Sequence, residues 1–106
     1  MQQSYKSDDQ TRQLVRLMRA IFELVKHESE PSALKLAWEV ALSASAVTSS
    51  CDPVNKLIHP DLGFELAEYA NFKEYSMTHP DFDEQIAQEK LVEALLSEVE
   101  TKLHKK

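Results

Sequence analysis

A chain of 106 residues with 42% apolar content predicts one domain whose core is large enough to fold without crosslinks. Eighteen acidic against twelve basic residues give a net charge of −6, which argues against nucleic-acid binding, because that needs a basic footprint. The single cysteine excludes an intrachain disulfide and a multi-cysteine zinc site. No stretch approaches the about 18 apolar residues of a membrane span, so the expectation is a soluble cytoplasmic protein.

Only Gly63 is a glycine, and no stretch alternates apolar with polar residues, so the chain is expected to be all-α. The predicted architecture is a compact bundle of four main helices plus one short connecting helix. Ser7-Asp8-Asp9-Gln10 reads as a helix start, leaving residues 1–6 as a flexible N-terminus. Leu14, Leu17, Met18, Ile21, Phe22 and Val25 then form one stripe at helical spacing. Arg12, Arg16, Arg19 and Lys26 share the opposite face, the one basic strip on an acidic chain. Pro31 disfavours helix just before it and suits the first turn of a second helix, expected over 31–49.

That second helix is apolar over more than half its circumference. Leu36, Val40 and Val47 make one edge, and Leu34, Trp38 and Leu42 make another. Between them runs a valley of Ala33, Ala37, Ala41 and Ala44, where another helix could approach closely. Lys35, Glu39 and Ser43 mark a narrow wet strip. A helix of this kind is buried by more than one neighbour. Asp52-Pro53 predicts the start of the short connecting helix, over 53–58. Asp61 can cap a third helix running to about Ser76, with Leu62, Leu66, Tyr69 and Ala70 inward and Phe64, Phe72 and Tyr75 elsewhere. A final helix is expected over 81–103, with Leu91, Val92, Leu95, Leu96, Val99 and Leu103 on one face. Phe82 and Ile86 fall off that stripe.

His-Pro-Asp occurs twice, at His59-Pro60-Asp61 and at His79-Pro80-Asp81. The tripeptide resembles the signature loop of J-domain co-chaperones, a resemblance that covers three residues. In that family a basic helix precedes the loop, whereas here Val54-Asn55-Lys56-Leu57-Ile58 precedes it and Leu62-Gly63 follows. Two copies without those flanks read as punctuation: proline stops one helix and aspartate caps the next. Glu65-Leu66-Ala67-Glu68 resembles half of the Glu-x-x-Glu signature of MazG-like nucleotide pyrophosphohydrolases, whose carboxylates bind magnesium. The downstream Glu-x-x-Asp of that family is replaced by Glu89-Lys90-Leu91-Val92 and Glu93-Ala94-Leu95-Leu96. The alternative it implies is a small metal-dependent nucleotide-binding or nucleotide-hydrolysing enzyme. Cys51 has no partner cysteine and no base nearby in sequence, so it reads as a small packing residue.

These features predict a non-enzymatic interaction or regulatory protein with no cofactor and no metal. Its partner is a protein, with self-association as a homodimer the leading case. Leu34, Trp38 and Leu42 form the expected interface anchor, with Phe72 and Tyr75 as outer aromatics.

Overall fold

The computed structural model describes the backbone of residues 2–53 and 56–104, and the side chains from Asp9 onward within those spans. Four helices follow one another: α1 (Gln2–His27), α2 (Pro31–Cys51), α3 (Leu62–Ser76) and α4 (Glu84–His104). Among the described residues there is no strand. α1 begins at Gln2, so Ser7 lies inside the helix instead of capping it. Neither glycine nor proline occurs between Gln2 and Ser7, and nothing there obliges the helix to start late.

The core is built from one stripe of each helix. Met18, Phe22 and Val25 of α1, Leu62, Leu66 and Tyr69 of α3, and Val92, Leu96 and Val99 of α4 are fully buried or nearly so. The Phe22 and Tyr69 rings meet at 5.4 Å, and the Tyr69 hydroxyl donates to Glu89 at 2.8 Å, so its polar tip is satisfied at the core margin. Burial and the Glu89 carboxylate both push the Tyr69 phenol upward from its ordinary value. Leu17 and Leu91 depart from the expected stripes and lie exposed.

α2 packs on α1 and α3, and among the described residues it makes no contact with α4. Its buried face is Leu34, Ala37, Ala41, Ala44 and Thr48, so the alanine valley is a packing surface. α3 meets α2 closely at Gly63. A Cβ placed there would lie 2.6 Å from both Cα and Cβ of Ser45. Only a residue without a side chain allows that approach.

The connecting helix expected over 53–58 is not present among the described residues; positions 54 and 55 lie outside them. Pro53 is in a turn, and Lys56 has a φ of 51°, left-handed backbone that an α-helix does not contain. The Asp52 carboxylate is committed elsewhere. Buried at the end of α2, it accepts the Ile58 N–H at 2.8 Å, while the Thr11 hydroxyl donates to the Cys51 carbonyl at 2.7 Å. One side chain therefore ties the linker to α2 beside α1. Asp52→Ala leaves the Ile58 N–H unpaired and is expected to cost about 1–3 kcal/mol. Asp52→Asn retains an acceptor and should lose less. Urea denaturation measures both, and equal losses would show that side-chain acceptance does not matter here.

α1 and α4 are clamped by Arg19. Its guanidinium donates twice to Glu100, at 2.9 and 2.7 Å, twice to Glu93, at 3.1 and 3.0 Å, and once to Glu23 at 3.1 Å. The paired hydrogen bonds use the flat fork that lysine lacks. Hydrogen bonds from Arg19, and then from Ser97, hold Glu93 down from 4.5 to about 2. Its folded-state pKa lies below the unfolded one. Its stabilisation is therefore present at neutral pH and fades as pH falls from about 5 through about 2. Glu93 is partly exposed, so water screens the pair and the effect is small. Between pH 6 and pH 2, the Tm gap between wild type and Arg19→Gln should narrow. A gap independent of pH would contradict this role.

Candidate functional site

The expected anchor is divided by the fold. Leu34 is fully buried in the chain's own core, which corrects its placement on an outer surface. Leu42 is half-buried against the core, and Trp38 remains 39% exposed. Phe72 is half-buried, while Tyr75 is exposed. These last two belong to a separate corner: Phe82 meets Phe72 edge-on at 5.6 Å and Tyr75 at 4.8 Å, and His79 stacks on Tyr75 at 3.7 Å. Phe82 thus finds the separate contact that its position off the α4 stripe implies.

Helix periodicity locates the other exposed apolar residues. Arg19 points toward α4, so α2 occupies the side of α1 away from it. Leu17 and Leu24 lie on that side, at its outer margin. On α2, Ser45 faces α3 and the Cys51 carbonyl faces Thr11 of α1. The Leu36–Val40–Val47 edge therefore falls on the α1 side. Leu17 and Leu24 of one helix and Leu36, Val40 and Val47 of the other flank a single outer groove. Leu36 is 62% exposed, Leu24 48%, Leu17 45% and Val47 43%. These are large aliphatic side chains, and the helices are long, 26 and 21 residues. Helix periodicity thus groups these exposed side chains on one flank of the α1/α2 pair, whereas a leucine exposed singly would carry no such signal. Sequence reasoning identified the α2 edge but missed the α1 half. The signal was present in the seven-residue spacing of Leu17 and Leu24, two turns apart on one flank.

Both His-Pro-Asp copies form the same turn. Leu62 N–H donates to the His59 carbonyl at 3.0 Å, and Phe82 N–H to the His79 carbonyl at 2.9 Å, with proline at the second position. Beyond that the copies diverge. The His59 ring accepts the Asp61 N–H at 3.1 Å, while the His79 ring lies 3.1 Å from the Tyr75 carbonyl oxygen. Asp61 is the residue before α3, but its carboxylate makes no capping hydrogen bond. Its carbonyl accepts from Glu65 N–H at 2.8 Å, an ordinary helical bond. α4 starts at Glu84, so Asp81 is not at its N-terminus. The motif is a turn former, and the aspartate cap is corrected at both copies.

Glu65 and Glu89, two of the carboxylates of the enzyme-like alternative, are engaged locally. The Gln88 amide donates to Glu65 at 2.6 Å, and Glu89 takes the Tyr69 hydroxyl. Among the described residues no group of three or more His, Cys, Asp or Glu side chains is placed to hold a metal ion. Cys51 is half-buried against the core. On the basic face, Arg19 is locked in its carboxylate cluster and Lys26 lies 3.8 Å from Glu23. Arg12 and Arg16 have no ion pair among the described residues. Lys73, which sequence reasoning passed over, donates to the carbonyls of Val25 and Lys26 at the C-terminal end of α1. A cation at a helix C-terminus is favoured by the dipole, and burial lowers the Lys73 pKa.

No helix among the described residues is long and apolar enough to cross a membrane. Comparison with protein-family models, with curated proteins and with solved structures finds no match to this chain.

Proposed function

We propose that this protein is a non-enzymatic interaction module that pairs with a second copy of itself through the outer α1/α2 groove. The observation that carries the reading is the exposure of Leu17, Leu24, Leu36 and Val47, with half-buried Val40, at positions that helix periodicity assigns to one flank of the α1/α2 pair. Two long antiparallel helices with aliphatic residues along their shared flank are self-complementary under a two-fold axis, the commonest symmetry of soluble homo-oligomers. Two such hairpins packed face to face make a four-helix arrangement at the contact. The half-buried single cysteine suits a reducing compartment such as the cytoplasm.

Trp38 on the opposite flank of α2 offers a second, smaller anchor for a different protein partner. Methyl NMR across a concentration series tests the proposal. The methyl resonances of Leu17, Leu24, Leu36, Val40 and Val47 should shift together as concentration rises, while those of core residues Leu66 and Leu96 stay fixed. Shifts confined to residues around Trp38, or none at all, would overturn it.

A further inference from the structure

On the other side of α1, toward α4, lies a groove of about 640 Å³. Its upper walls carry Arg12, Arg16, Ser97 and Thr101, and Arg19 with Glu100 closes one part of it. Val15 and Leu103, both buried, form its apolar floor. The charge arrangement is unusual for this chain. Acidic residues outnumber basic ones by eighteen to twelve, and Arg19 alone binds three glutamates. Yet Arg12 and Arg16, one turn apart on the same face, have no carboxylate partner among the described residues. Like charges at this spacing repel, and a bound dianion would relieve that repulsion.

We infer that this groove binds a small organic phosphate, with the phosphate held by Arg12 and Arg16 and the organic part resting on Val15 and Leu103. Guanidinium groups match phosphate oxygens in bidentate geometry, and Thr101 lines the groove from α4. The volume falls within the range of about 300–1,000 Å³ typical of small-molecule sites. A bare anion would leave the apolar floor unused. A polyanion such as nucleic acid would meet the repulsion of a chain carrying −6 overall. The α1/α2 groove lies on the far flank of α1, so this site stands or falls independently of the dimer.

Isothermal titration at fixed ionic strength provides the test, with phenyl phosphate, inorganic phosphate, benzoate and a short oligothymidylate as probes. Phenyl phosphate should saturate one site per chain, more tightly than inorganic phosphate or benzoate. Arg12→Gln and Arg16→Gln should each weaken it by about tenfold. The Arg12 and Arg16 Nε resonances should shift on titration, which places the ligand without relying on the variants. Arg16 is exposed, so its variant keeps the fold, and an unchanged far-UV circular dichroism spectrum checks this. The inference is overturned by the absence of saturable phenyl phosphate binding or by equal binding of benzoate. Preference for the oligothymidylate, or variants that bind as the wild type does, would overturn it as well.

Discussion

A variant carrying both Leu36→Glu and Val47→Glu is expected to remain monomeric at concentrations where the wild type pairs. The two-fold operation places four carboxylates in the contact, two from each chain. Burying an aliphatic side chain is worth about 1.5–3 kcal/mol, and that gain is lost at each position while charge desolvation is added. The dimer dissociation constant should rise by at least about 100-fold, equivalent to about 2.7 kcal/mol. Both side chains are already exposed in the single chain, so folding stability should change by no more than about 0.5 kcal/mol. Trp38→Gln is the matched comparator on the opposite flank of α2. It is chosen over Leu42, which packs on the core and would confuse folding with association. Light scattering reads both variants. Pairing that survives Leu36→Glu and Val47→Glu but is lost with Trp38→Gln would assign the interface to the wrong flank.

Gly63→Ala sets two effects against each other. Alanine is favoured over glycine inside a helix by about 1 kcal/mol, a gain reduced here because Gly63 is the second residue of α3. Against it stands the new Cβ, 2.6 Å from Cα and Cβ of Ser45 and 2.9 Å from its backbone nitrogen. Two of these three atoms belong to the α2 backbone, which cannot rotate aside as a side-chain tip would. Overpacking of this kind costs about 1–3 kcal/mol or more. The packing penalty should win, lowering the urea midpoint at unchanged slope. Ser45→Gly should not restore it, because the Cα and nitrogen contacts remain. An unchanged or raised midpoint in Gly63→Ala would mean that α2 and α3 are not held so tightly.

The features legible in the sequence were those that depend on periodicity along one helix. The alanine valley of α2 is such a feature: small residues at helical spacing between two apolar edges announced a packed face, and Ala37, Ala41 and Ala44 are buried. The inward stripe of α3, Leu62, Leu66, Tyr69 and Ala70, is likewise a property of one segment, and all four are buried. What depends on which helix lies beside which was not legible. Leu17 belongs to a stripe with Met18 and Ile21 but falls on its outer margin, a position decided by where α2 sits. Leu34 and Trp38 share an edge of α2, yet the bundle takes one into the core and leaves the other outside.

Local signals with two uses misled in both directions. Asp52-Pro53 looks the same whether the carboxylate caps a new helix or reaches on to Ile58, and only the long-range bond distinguishes them. The His-Pro-Asp copies predicted turns correctly and caps incorrectly, because proline constrains the backbone directly whereas an aspartate has several acceptor targets. The Arg19 clamp was half-legible. Glu23 was visible as a local partner, and Glu93 and Glu100, seven residues apart, share one face of α4 and could have been read as a pair awaiting a cation.

Sedimentation equilibrium of the unmodified chain, from micromolar to millimolar concentration, tests the central claim most directly. The predicted result is a reversible rise in mass to twice that of the single chain, with no larger species, as a closed two-fold contact requires. A constant monomer mass across the whole range would contradict it.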